Sequence, residues 1–64
     1  MSINNRLKEI RMKEYMMNQI DFAKMLDINM KVYNNWERGQ NIPSLEKAME
    51  ISKKLNRKIE DIWY

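Results

Sequence analysis

The groups in this sequence able to do chemistry are carboxylates, amines, guanidinium groups and amides, because its 64 residues include no Cys and no His. Thiolate and imidazole catalysis, disulfide bonds and Cys/His zinc clusters are thereby excluded. The adjacent carboxylates Glu60 and Asp61 have no base, metal cluster or Gly-rich phosphate loop to work with. No enzymatic activity, metal, cofactor or small-molecule ligand is therefore expected. What remains is recognition through charge and hydrogen bonds. Twelve Lys and Arg against nine Asp and Glu leave a net charge of +3, which permits a nucleic-acid or acidic partner. Where that charge sits must decide.

One group of such side chains, Lys31, Asn34, Asn35 and Arg38, falls on one exposed side of a single helix. At a helical step of about 100° per residue, with Lys31 at zero, Asn35 falls at about 40° and Arg38 at about −20°; Tyr33 and Trp36 fall at about 200° and 140°. One face is polar and the other aromatic, and core packing is the better reading of the aromatic face than base stacking. Glu37, at about −120°, lies beside the aromatic face, where an unpaired carboxylate is costly. Arg11, next to an apolar stripe on the first helix, is the best-placed cation to pair with it. A second basic group, Lys53, Lys54, Arg57 and Lys58, reads as a solvated cluster at a helix C-terminus, where cations are favourable.

The elements that must position these residues are helical, since apolar residues recur at helical spacing with almost no period-two alternation. A first helix from about Asn4 to Lys13 carries Ile3, Leu7 and Ile10 on one stripe. Asn18 then caps a second helix, with Asp21 at the capping-box position and Phe22, Ala23 and Leu26 inside. Asn29 caps a third, Met30 to Arg38, which Gly39 ends by taking positive φ. After the loop of Gln40, Asn41, Ile42 and Pro43, Ser44 caps a fourth helix with Leu45, Ala48, Met49, Ile51, Ser52 and Leu55 on a broad stripe. Asn56 stops it, and Ile59, Ile62 and Trp63 mark a short fifth. Met17, Met25 and Met49 are expected to pack. The expectation is one all-α domain over residues 1–64. No apolar run is long enough for a membrane, and Arg6, Lys8, Glu9 and Arg11 interrupt any signal-peptide core, so a cytoplasmic location is expected.

The stretch NQIDFAKMLDINMKVYNNWERG, from Asn18 to Gly39, resembles the helix-turn-helix of the Cro and phage-repressor type, the XRE family. Gln19 follows the cap, Ala23 takes the small position where the two helices cross, Ile28 fills the apolar place in the turn, and Trp36-Glu37-Arg38-Gly39 matches the end of the recognition helix. NIPSLEKAMEISKKLN and IEDIW resemble the family's fourth and last helices, so the likeness covers nearly the whole chain. Two positions depart from the pattern: Asp27 stands where the family most often has Gly, and Arg57 replaces an apolar residue. A compact five-helix, lambda-repressor-like domain is what the resemblance implies.

It also implies a sequence-specific regulator, a repressor, that reads double-stranded DNA with helix 30–38 in the major groove. Lys31 can reach guanine, Asn34 or Asn35 can pair with adenine, and Met30 can touch a thymine methyl. Asn18 and Gln19, through backbone amides at a helix start, with Arg38, Gln40 and Asn41, are expected at phosphates. The resemblance suggests the same Arg11–Glu37 pairing. One helix reads too few base pairs to mark a genomic site, so a homodimer on DNA is expected, with Trp63 and Tyr64 touching the partner. The alternative is an antitoxin or anti-regulator that binds protein on the same scaffold.

Overall fold

A computed structural model describes residues 3–64, and among them the chain is all-helical with no strand. The elements are α1 (Leu7–Ile10), continued by a π-helical turn at Arg11–Tyr15, then α2 (Gln19–Met25), α3 (Met30–Glu37), α4 (Leu45–Lys54) and α5 (Ile59–Ile62). Three of the asparagine and serine caps act as their types demand. Asn18 Oδ1 accepts from the Asp21 amide at 2.8 Å, Asn29 Oδ1 from the Lys31 amide at 2.8 Å, and Ser44 Oγ from the Lys47 amide at 3.2 Å. Gly39 and Asn56 take positive φ where α3 and α4 stop.

Each helix contributes its apolar face to one core. Leu7 and Ile10 meet Phe22, Ala23 and Leu26 from α2, Tyr33 and Trp36 from α3, and Ile51, Leu55 and Ile62 from the last two helices. Phe22 is wholly buried between two rings, with centroids 5.3 Å from Tyr15 and 5.6 Å from Tyr33, the latter edge-on. Burying one such side chain contributes roughly 1.5–3 kcal/mol, and Tyr33 and Trp36 therefore bind α3 firmly to the domain through the side opposite its polar face.

The first helix differs from its expected span of Asn4 to Lys13. It starts at Leu7, because residues 4–6 are tied to the C-terminus instead: the Asn4 and Tyr64 amides each donate to the other's carbonyl, and the Arg6 amide donates to the Ile62 carbonyl at 2.8 Å. This isolated antiparallel bridge centres on Asn5 and Trp63. At its other end the helix widens, so that the Arg11 carbonyl accepts from the Met16 and Met17 amides, and Met16 turns left-handed at φ 51°.

The inner stripes are also narrower than expected. Leu45, in the first turn of α4, is 71% exposed, and Met49, one turn later, is 46% exposed, so neither is core; Ile3 lies outside α1 and is half-exposed. Met17 and Met25 do pack against the core. No helix among the described residues is long and apolar enough to cross a membrane.

Candidate nucleic-acid interface

Two short helices and a tight turn place the polar side chains. Between α2 and α3 the Ile28 amide donates to the Ala23 carbonyl at 2.9 Å, and Asp27 takes the left-handed conformation at φ 58° that reverses the chain. Asp allows this more readily than most side chains, because its short polar group can hydrogen-bond locally. Ala23, almost fully buried, leaves room for the helices to cross, while Ile28 rests against the core. From α4, Lys54 Nζ donates to the Leu26 carbonyl at 3.1 Å, which ties the turn to the rest of the domain.

The far ends of the two helices are joined by a buried polar cluster around Glu37. Arg11 Nε donates to Oε2 at 3.0 Å and its second nitrogen to Oε1 at 3.1 Å, a two-pronged pair whose side chains are 10% and 5% exposed. Gln19 Nε2 donates to Oε1 at 2.8 Å, and the Tyr33 hydroxyl to Oε2 at 2.5 Å. Arg11 also donates to the Met17 carbonyl at 3.0 Å, which the π-helical turn brings back beside it. Burial alone would raise the Glu37 pKa; donors from Arg11, Tyr33 and Gln19 outweigh it and hold the carboxylate below its ordinary value. Burial, helped by the neighbouring carboxylate, raises the Tyr33 phenol, and the hydrogen bond to Glu37 raises Arg11. The cluster is a charged pair with its lone pairs satisfied, the condition under which such a pair can sit in a core.

Anchored in this way, α3 exposes Lys31 and Arg38, with Asn35 half-buried between them and Met30 partly packed against the core. Asn34 is less free than its neighbours, since its Nδ2 donates to Gln19 Oε1 at 3.1 Å. Asn18, Gln40 and Asn41 are exposed at the edges of the same helix pair. Trp63 is buried in the chain's own core, whereas Tyr64 is exposed, its ring 4.1 Å beneath the Arg6 guanidinium. The half-buried Arg57, at the position where an apolar residue is usual, pairs with Glu14.

Three positioning contacts go beyond what the sequence pattern predicts. The aromatic face accounts for the packing of Tyr33 but not for its hydroxyl bond to Glu37, for which the spacing of four is a helix-neighbour signal. Gln19 is expected at phosphate through its backbone amide, and its side-chain amide, which that reading leaves without a role, serves Glu37 and Asn34. Asn5 Nδ2 donates to the Trp36 carbonyl at 2.8 Å, closing the C-terminal end of α3 from 31 residues away, and nothing in the local pattern announces it.

The geometry is that of a helix-turn-helix with a polar second helix. A family model described as helix-turn-helix matches residues 7–62. An uncharacterised helix-turn-helix-type transcriptional regulator from Archaeoglobus fulgidus is 36% identical over 61 residues, covering 95% of this chain and 84% of that protein. The chain belongs to the XRE family of helix-turn-helix proteins.

Proposed function

We propose that this protein is a sequence-specific, double-stranded-DNA-binding transcriptional regulator, a repressor by its family likeness, that lays α3 in the major groove. One observation carries the reading: α3 is fixed through buried Tyr33, Trp36 and Glu37 while Lys31, Asn35 and Arg38 are left on its outer side. A solvated helix would need no buried ion pair to hold its orientation.

In this reading Met30, Lys31, Asn34 and Asn35 meet base edges, and Asn18, Gln19, Arg38, Gln40 and Asn41 meet phosphates, which set position and carry no sequence information. Two copies act as a two-fold pair on a near-palindromic site, their recognition helices one duplex turn, roughly 34 Å, apart. The protein acts as a non-enzymatic, cytoplasmic regulator.

The test is selection of bound duplexes from a random pool at fixed salt, followed by titration of the selected sequence across salt concentrations. Affinity should fall steeply with salt, because each neutralised phosphate releases condensed counterions. A selection that enriches nothing, or binding that is flat with salt, refutes the reading.

A further inference from the structure

Beside the exit of α3 the segments 4–6 and 61–64 are clasped together. Asn4 and Tyr64 exchange backbone hydrogen bonds of 2.6 and 2.8 Å, the Arg6 amide donates to the Ile62 carbonyl, and the Arg6 guanidinium donates to the Asp61 carbonyl at 3.2 Å and covers the Tyr64 ring. Trp63, expected at a partner contact, is part of this clasp, bridged through its backbone to Asn5. A notch of about 210 Å³ separates the clasp from Arg38 and Gly39. One side chain crosses from the clasp to the helix. Asn5 Oδ1 accepts from the Leu7 amide at 3.1 Å, a turn that starts α1, while its Nδ2 donates to the Trp36 carbonyl at 2.8 Å. That carbonyl already accepts from the Gly39 amide at 3.0 Å, and the Gln40 amide donates to the Asn35 carbonyl at 3.0 Å, so α3 closes with the bond pair that a left-handed glycine allows. The helix end does not need Asn5 for satisfaction. What the bond adds is a fixed distance between the clasp and the exit of α3.

We propose that Asn5 is a positioning residue for DNA recognition: by holding the Trp36 carbonyl it sets where Arg38, Gln40 and Asn41 leave α3, and so governs the grip on phosphate rather than the reading of bases. The inference rests on the DNA reading above. Arg38 is the C-terminal cap residue of α3, two positions after Trp36, and Gln40 and Asn41 follow it, all three exposed. Lys31 stands about 7.5 Å back along the helix from Trp36, at a rise of roughly 1.5 Å per residue. That start has its own anchor in the Asn29 cap. The two ends of α3 are therefore held by different residues. At the C-terminal end the Glu37 cluster grips a side chain, whereas Asn5 grips the backbone from which the phosphate-contacting residues depart.

Asn5→Ser tests this, since a serine hydroxyl still accepts from the Leu7 amide, ends too short to reach the Trp36 carbonyl, and adds no charge. Without DNA, amide exchange should quicken at Gly39 and Gln40, whose N–H groups close the end of α3, and stay unchanged at Tyr33, whose amide donates to the Asn29 carbonyl. Asn5→Asp keeps the Leu7 turn and turns the donor into an acceptor, so it should quicken the same two amides further. On duplexes, Asn5→Ser should weaken binding roughly three- to tenfold on the selected site and on scrambled sequence alike, lower the salt slope, and leave the preferred sequence unchanged. Added to Arg38→Ala it should cost less than it costs in the parent chain, because residues that act through one contact are not additive. A parent chain that binds no duplex refutes the DNA reading and takes this inference with it. In a parent that binds, the role of Asn5 is overturned by unchanged exchange at Gly39 and Gln40, by an altered sequence preference, or by losses that simply multiply in the double variant.

Discussion

Gln19 Nε2 lies 2.8 Å from Glu37 Oε1, so the first residue of α2 is hydrogen-bonded to the last residue of α3. The turn joins the helices at one end and this bond joins them at the other, which closes the pair into a triangle and fixes its angle. Gln19→Ala opens that side. Hydrogen bonds to charged groups contribute about 1.5–3 kcal/mol, and because Arg11 and Tyr33 still serve Glu37, the expected cost is about 1.5 kcal/mol. Urea unfolding checks it: the midpoint should fall with the slope unchanged.

Removing the charge at Glu37 should be more severe. Glu37→Gln leaves Arg11 buried without its counterion, and breaking a buried pair from one side costs roughly 3–5 kcal/mol. A domain of this size has a total of roughly 3–10 kcal/mol at 0.05–0.15 kcal/mol per residue. Much of the folded population at 37 °C should be lost, as read by circular dichroism. A stability change close to zero would show that the cluster does not hold α3.

The same carboxylate should govern the acid limb of stability. Its folded pKa is depressed below the ordinary value of 4.5, so the unfolded chain binds the proton more tightly. The stabilisation is complete above about pH 4.5 and declines as pH falls through the depressed folded value. Unfolding free energies measured from pH 7 downward should show this decline in the parent chain, and Glu37→Gln should flatten it.

How far these contacts were legible depends on range. Caps and stops were readable because an Asn18 or a Gly39 answers to its own neighbours in sequence. The need of Glu37 for a cation was readable because the wheel sets it beside Tyr33 and Trp36, and the family likeness points to Arg11. The pairing of residues 4–6 with 62–64 was not, since three residues carry no period-two pattern and the partner is nearly the whole chain away. Leu45 and Met49 show a different limit: apolar residues at helical spacing read as core, and only the packed domain reveals that both are exposed, Leu45 at the edge of an open groove.

Two left-handed residues offer a comparison in which rank order is the test. Met16, 84% exposed at φ 51°, has a long side chain with no local hydrogen bond to offset the strain, which is roughly 1–2 kcal/mol for an ordinary residue. Asp27, at φ 58°, belongs to a type that tolerates the conformation. Glycine relieves the strain but adds freedom to the unfolded chain. Met16→Gly should therefore stabilise by about 1 kcal/mol, ~4–8 °C in a domain this small, and Asp27→Gly by less. Thermal melts giving the opposite order would place the strain in the helix-turn-helix turn.

The proposed roles on α3 separate by what each substitution does to specificity. Lys31 and Asn35 sit on its outer side, one near the N-terminal start and one a turn later, while Arg38 is exposed at the C-terminal cap beyond the last helical residue. A side chain that meets a base edge discriminates one base pair from another by about 1–3 kcal/mol. One that meets phosphate contributes equally on every sequence and adds about one unit to the salt slope. On a selected site and on scrambled duplexes, Lys31→Ala and Asn35→Ala should lose affinity mainly for the selected site and change the sequence preferred. Arg38→Ala should weaken binding to both by the same factor and make it less salt-dependent. The reverse pattern, with preference altered by Arg38→Ala and untouched by Asn35→Ala, would mean that α3 enters the groove by its C-terminal end.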